Sequence, residues 1–71
     1  MANDICIKFG RKLRQLREEK GWSQEYLAEI SGIGRSHISQ LENGRREAGL
    51  RMLETLAGVF QRTAAELLEG V

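Results

Sequence analysis

The sequence contains few of the residues on which disulfide-rich proteins and metalloproteins depend. Among its 71 residues there is no proline, one cysteine, one histidine and only 6% aromatic residues. A single cysteine excludes an internal disulfide and favours the reducing cytosol. Because one cysteine and one distant histidine cannot supply the usual zinc ligands, we expect no metal. No cofactor and no small-molecule ligand are expected either.

Long apolar runs are also missing. Residues 1–12 contain no apolar stretch long enough for a signal peptide, and no part of the chain approaches the ~20 apolar residues of a transmembrane helix. We therefore expect a cytoplasmic protein that does not enter a membrane. The length allows one domain, residues 1–71. Catalysis is not expected, because adjacent reactive side chains such as Ser36 and His37 point about 100° apart on a helix and so thin a domain offers no pocket.

Charge is balanced overall but uneven along the chain. The net charge of +1 at pH 7 gives no strong overall attraction to nucleic acid. Residues 8–20 nevertheless include six basic side chains against two acidic ones, and residues 35–51 include four against two. One face of the molecule could therefore be basic. A solvated, charged helix face explains the first block equally well.

Helix-forming residues separated by glycines predict five helices and no strand. Alanine, leucine, glutamate and arginine predominate. Asn3 or Asp4 can cap the first helix, Ser23 the second, and a capping box at Thr63 and Glu66 the last. The expected bounds are about 4–20, 23–32, 34–43, 49–60 and 63–68.

Apolar residues at helical spacing define the expected core. Those assigned to it are Ile5, Phe9, Leu13, Leu16, Leu27, Ala28, Ile30, Ile38, Leu41, Leu50, Leu53, Leu56, Ala57 and Phe60. Trp22 is expected to pack on Leu27, and Ile33 to fill the space between helices. Gly58, inside the fourth helix, indicates either close packing or a frayed end.

Residues 23–43 have the pattern of two short helices joined by a glycine turn, as in a helix-turn-helix. In the second of these helices Ile38 and Leu41 face inward, which leaves short or bidentate polar side chains outside: Arg35, Ser36, Ser39 and Gln40. Arginine can bind guanine O6 and N7, and glutamine can bind adenine N6 and N7. The pattern therefore predicts a helix that reads bases in the major groove of DNA. An ordinary surface helix would carry more lysine and glutamate.

Several motifs in order resemble the phage-repressor and Cro-like (XRE) family. They are FGRKLRQLR at 9–17, GWSQEYLA at 21–28 and ISQLENG at 38–44, with LETLA at 53–57 and ELL at 66–68 fitting the closing helices of that family. The resemblance spans about residues 8–68 and implies a compact five-helix, all-α domain of the phage-repressor type. Within the family, RSHIS at 35–39 and GRR at 44–46 are similar to the controller proteins of restriction–modification systems.

The resemblance also implies roles for individual residues. Arg35, Ser36 and Gln40 would read bases. The residues that would contact or approach the sugar–phosphate backbone are Ser23, Gln24, His37, Ser39, Asn43, Arg45 and Arg46. Gln24 would in addition brace the reading helix. His37, judged from the residues alone, flanks the groove as a phosphate or base-edge contact or simply packs. Arg17 and Glu42 stand where the family has a partly buried ion pair, so Arg17 is expected to be structural.

One reading helix contacts only a few base pairs, so useful specificity calls for a two-fold dimer on half-sites about 34 Å apart. The C-terminal third, residues 49–71, carries more apolar side chains than a small core can hide. The expected interface residues are Leu50, Met52, Val59, Phe60, Leu67 and Leu68.

The sequence as a whole predicts a sequence-specific transcriptional regulator that binds double-stranded DNA as a homodimer on a pseudo-palindromic operator. Restriction–modification genes are candidate targets, and RNA polymerase is a further candidate partner. Such a protein would be bacterial or phage-encoded and associated with the nucleoid, and the pattern does not distinguish a repressor from an activator. The alternative is an antitoxin or a helix-turn-helix adaptor whose main role is to bind another protein.

Overall fold

The structure is a computed structural model that describes residues 4–71. Within that range the chain forms helices and no strand, which confirms the all-α, five-helix fold. The helices are α1 (Ile5–Glu19), α2 (Gln24–Ser31), α3 (Arg35–Glu42), α4 (Leu50–Val59) and α5 (Ala64–Leu67). None of the helices in the described residues is long and apolar enough to cross a bilayer.

Polar side chains cap the first turns of three helices. The Asp4 carboxylate accepts a hydrogen bond of 2.8 Å from the N–H two residues ahead and is the cap of α1, whereas Asn3 lies outside the described residues. The Ser23 hydroxyl caps α2 at 3.0 Å. Thr63 and Glu66 form the predicted capping box of α5. Each cap gives a partner to an N–H that the first turn of a helix leaves unpaired.

Two glycines allow α1 to lie directly against the end of α3. Gly10 is buried, and a Cβ placed on it would lie 2.6 Å from the carbonyl oxygen of Glu42. Gly44 ends α3 with φ of 70°, and a Cβ there would lie 2.8 Å from Cα of Ile7. A side chain at either glycine would therefore force the helices apart.

A single cluster of apolar side chains fills the space between the helices. Its buried members are Phe9, Leu13, Leu16, Leu27, Ile33, Ile38, Leu41, Leu56, Ala57, Phe60 and Leu67. Trp22 packs against this cluster, with its ring stacked 5.3 Å from the ring of Phe60 and tilted against the ring of Tyr26 at 5.5 Å. Ile33 is buried as expected.

Three residues assigned to the core are exposed instead. Ile5 and Leu50 are 66% and 85% exposed, because each is the first residue of its helix and projects beyond the packed region. Ile30 is 40% exposed, because α2 turns Leu27 and not Ile30 into the core. Gly58 is also exposed, with nothing within 4 Å of its Cβ position, so the close-packing interpretation is wrong and the residue simply lies in the last turn of α4.

The predicted dimer interface needs a comparable correction. Phe60 and Leu67 are 4% and 0% exposed, so both are committed to the core of their own chain and cannot form an interface. Met52 and Val59 are half-buried against the same core. Of the six predicted residues, only Leu50 and Leu68 present substantial apolar surface.

Candidate nucleic-acid interface

The outer face of α3 is polar and exposed, while its inner face buries two apolar side chains and the carboxylate of Glu42. Ile38 and Leu41 are 0% exposed and fix the inner face in the core. Arg35, Ser36 and Gln40 are exposed on the other side. The helical repeat explains this for Ser36 and Gln40, which are four residues apart and share a face, whereas Arg35 is exposed as the first residue of the helix. The structure therefore leaves all three predicted base-reading side chains accessible on α3.

Arg35 forms an ion pair with a side chain from α2. Its Nε lies 2.9 Å from Oε2 of Glu25, and the two side chains are 59% and 64% exposed. Glu25 lies in the first turn of α2, where a carboxylate is favoured by the positive end of the helix dipole. Sequence analysis assigned no role to Glu25, since nothing in the local pattern shows which side chain on α3 it reaches.

Gln40 is bonded to the segment that follows α3. Nη1 of Arg46 donates a hydrogen bond of 3.1 Å to Oε1 of Gln40. The backbone N–H of Arg45 donates to the carbonyl oxygen of Gln40 at 2.9 Å. The chain thus turns back over the end of α3, which places the exposed Arg46 beside Gln40.

Glu42 is the buried centre that joins α3 to the other helices. Its side chain is 0% exposed. Arg17 donates to it from Nε at 2.7 Å and from Nη2 at 3.0 Å, and Gln24 donates from Nε2 at 3.0 Å. Arg17 also donates from Nη1 to the carbonyl oxygen of Trp22 at 2.7 Å. The expected Arg17–Glu42 ion pair is present, and it connects α1 and α2 to α3.

The electrostatics of this centre keep both partners charged. Burial pushes the pKa of Glu42 upward, but the hydrogen bonds from Arg17 and Gln24 outweigh it and hold that pKa below its ordinary value. The hydrogen bond to Glu42 raises the pKa of Arg17. Because one charge would be stranded in the interior, removal of either partner of such a pair costs about 3–5 kcal/mol.

Gln24 and Ser23 both have structural bonds at the start of α2. One amide hydrogen of Gln24 is used by Glu42, so the side chain braces α3 through the buried carboxylate. The Ser23 oxygen accepts the capping bond and its hydroxyl hydrogen remains a donor. A phosphate contact by either residue stays a prediction.

Arg14 is a residue that sequence analysis missed. Its Nε donates to Oε1 of Glu42 and its Nη2 to Oδ1 of Asn43, each at 3.3 Å, while its side chain is 46% exposed. Arg14 and Arg17 are three residues apart on α1, so their spacing already indicated a shared face. Arg14 thus adds a half-exposed positive charge next to Asn43.

His37 and Ser39 lie partly beneath the exposed face of α3. Both are half-buried, and Nε2 of His37 has no hydrogen-bond partner among residues 4–71. The Ser39 hydroxyl accepts a bond of 3.5 Å from the side-chain amide of Asn43. The same described range contains no group of three residues that could hold a metal ion.

The sequence and fold are similar to those of known regulators. A family model described as helix-turn-helix matches residues 13–67. The control protein C.MunI of a Mycoplasma species is 40% identical over 70 residues, which cover 97% of this chain and 95% of the control protein. The control protein C.BamHI of Bacillus amyloliquefaciens is 36% identical over 70 residues, which cover 97% and 86%.

A solved structure of a controller protein is also similar to this chain in sequence and fold. The crystal structure of the restriction-modification controller protein C.AhdI from Aeromonas hydrophila matches with a TM-score of 0.83 and 42% identity. The match covers 87% of this chain and 94% of that one. Longer regulators also match, and the chain spans about half of their length.

Proposed function

The chain belongs to the phage-repressor and Cro-like (XRE) helix-turn-helix family of DNA-binding transcriptional regulators, and on that premise we propose that it recognises one pseudo-palindromic operator as a homodimer. The family resemblance expected from the sequence is confirmed. The matched proteins are regulators and not enzymes. Within residues 1–71 we assign the reading motif to 23–43 and the dimerisation region to 49–71.

The accessible face of α3 is the observation that carries this proposal. Arg35, Ser36 and Gln40 are exposed there, on a helix whose opposite side is anchored by fully buried residues. With its side chains an α-helix is about 10–12 Å in diameter, which fits a major groove about 12 Å wide. We assign guanine recognition to Arg35 and adenine recognition to Gln40. The small side chain of Ser36 would let the helix approach the bases closely.

Polar and basic residues around α3 would position it on the phosphates. We assign this role to Ser23, Gln24, His37, Ser39, Asn43, Arg45 and Arg46, and we add Arg14. Such contacts set the register of a protein on DNA, whereas base contacts supply the sequence preference. Arg45 and Arg46 are exposed in the segment that follows α3 and should contribute most to the salt dependence of binding.

Exposed apolar side chains support the homodimer. Leu50 is 85% exposed and Leu68 is 37% exposed. An apolar groove of about 200 Å³ adjoins Leu68 and is lined in part by Ile5, Phe9 and Leu53. Burial of this surface against a second copy would offset the thin core of a 71-residue chain.

Sedimentation equilibrium of Leu50→Lys and Leu68→Lys tests the dimer. A charge in the interface should shift both variants towards the monomer mass, since an unpaired charge is costly to bury. Ile30→Lys is the matched control, because Ile30 is a similarly exposed apolar residue on α2. A wild-type protein that sediments as a monomer at high micromolar concentration contradicts the proposal, as does an equal effect of all three variants.

Selection from a pool of random duplexes tests sequence recognition. We expect enrichment of a sequence with two inverted half-sites, because each protomer presents one reading helix. No enrichment, together with stable capture of one protein from a native extract, would favour the antitoxin or adaptor function instead.

The restriction–modification role rests on the similarity to C.MunI, C.BamHI and C.AhdI. We propose that the selected operator lies upstream of restriction–modification genes and that the protein alters their transcription by RNA polymerase. Transcription in vitro from templates that carry these promoters, with and without the protein, tests both points. Unchanged transcript levels from every such promoter would reject this role and leave operator binding intact.

A further inference from the structure

The ion pair between Glu25 and Arg35 joins α2 to the reading face of α3. Nε of Arg35 lies 2.9 Å from Oε2 of Glu25, and both side chains are mostly exposed. Exposed ion pairs of this kind contribute little to folding stability. Stabilisation of the fold is therefore a poor explanation for this contact.

The ion pair approaches the guanidinium at Nε. Arginine carries five N–H groups in one plane, and Nε is the nitrogen that lies 2.9 Å from Oε2 of Glu25. The N–H groups of the terminal nitrogens are the planar fork that matches guanine O6 and N7. The carboxylate also restricts the rotation of a long side chain before DNA arrives, which lowers the ordering cost on binding.

The charge of Glu25 acts on any duplex, whatever its sequence. Because it touches Arg35, Glu25 lies beside the surface that would face DNA, where its negative charge opposes the phosphates. If Arg35 turned away to a phosphate, the carboxylate would lose its partner close to other negative charges. The pair thus disfavours the use of Arg35 as a general phosphate contact.

We propose that Glu25 is a specificity-determining residue, which holds Arg35 for end-on recognition of guanine and weakens the binding of unrelated DNA. This inference rests on the proposed function, since it requires that α3 reads bases. Glu25 itself need not touch the DNA. It acts as a positioning residue through Arg35.

Three variants of the full chain separate positioning from a simple change of charge. Glu25→Ala removes the side-chain contact and the charge, and Glu25→Gln removes the charge but keeps a side chain of the same size beside Arg35. Glu29→Ala is the matched control, because Glu29 is exposed on the same helix but makes no ion pair with Arg35 in the described structure. Circular dichroism confirms that each variant is folded.

The measurements use the duplex selected by the wild-type protein, versions of it with single G·C to A·T changes, and an unrelated duplex. We expect Glu25→Ala to lose about fivefold or more of its discrimination at one guanine, which is the low end of what one bidentate base contact supplies. Glu25→Gln should lose less, and Glu29→Ala should lose none. Binding of Glu25→Ala to the unrelated duplex should become tighter, with a salt slope steeper by about 0.9 if the freed Arg35 neutralises one phosphate.

Two outcomes would overturn the inference. One is unchanged discrimination in Glu25→Ala, and the other is the same change in Glu25→Ala and Glu29→Ala, which would reduce the effect to net charge. A wild-type protein that selects no sequence would instead reject the proposed function, so the two failures can be told apart.

Discussion

Gly10 lies where α1 meets α3, and replacing it with alanine should force these helices apart. A Cβ at this position would lie 2.6 Å from the carbonyl oxygen of Glu42, 2.9 Å from its carbonyl carbon, and close to the carbonyl oxygen of Leu41. All three are backbone atoms at the end of a helix. They cannot move aside as the end of a flexible side chain could, so the whole of α1 or α3 has to shift.

The expected change in stability is the difference between two effects. Alanine in place of glycine inside a helix stabilises by roughly 1 kcal/mol. An extra methyl group in a well-packed contact costs typically ~1–3 kcal/mol, and more where the backbone must shift. We take the upper end, because every neighbour of the new atom is backbone. Gly10→Ala should therefore be about 2 kcal/mol less stable, which lowers Tm by roughly 10 °C in a domain of this size.

Gly58→Ala is the matched control for this substitution. Gly58 lies in the last turn of α4, and nothing lies within 4 Å of its Cβ position. The Gly58→Ala protein should be more stable than the wild type by up to ~1 kcal/mol, through helix propensity alone. Urea unfolding followed by the fluorescence of Trp22, which stacks on Phe60, measures both variants at one protein concentration. A Gly10→Ala protein as stable as the wild type would refute the steric reasoning.

Two further substitutions test the buried centre and the reading face. Glu42→Gln should lower the free energy of unfolding by about 3–5 kcal/mol at pH 7, because the Arg17 charge loses its partner. The folded-state pKa of Glu42 is lowered, so the stabilisation by its charge is complete above the unfolded pKa of ~4.3 and is lost as pH falls through the folded pKa. A stability difference between Glu42→Gln and wild type that stays constant from pH 7 to pH 3 would contradict the pairing. Arg35→Ala should weaken binding to the selected operator by roughly 1–3 kcal/mol and relax the preference at one base pair in gel-shift titrations. Equal loss on every duplex would instead make Arg35 a phosphate contact.

Features set by neighbouring residues in the sequence were predicted well. The capping box of α5 depends on Thr63 and Glu66, which are three residues apart. The inward direction of Ile38 and Leu41 follows from the helical repeat alone, and both are fully buried. The Arg17–Glu42 pair came from the family resemblance, since the two residues are too distant in sequence for a local rule.

Features that depend on where a helix ends, or on how closely two helices pack, could not be predicted in the same way. Leu67 and Leu68 are the same residue type, yet one is 0% and the other 37% exposed, because only the position of α5 against the core distinguishes them. Periodicity also overlooks Gly10, since a missing side chain leaves no apolar signal. The Glu25–Arg35 ion pair depends on the angle between α2 and α3, which the hydrophobic pattern does not fix.

The buried carboxylate of Glu42 has a consequence for how proteins of this architecture can diverge. It secures the reading helix from behind through Arg17 and Gln24, and none of these bonds involves an exposed position of α3. Substitutions on the outer side can therefore accumulate without disturbing the attachment. A duplicated gene could acquire a new target sequence through a few surface changes, and an engineer could exchange the same positions between scaffolds.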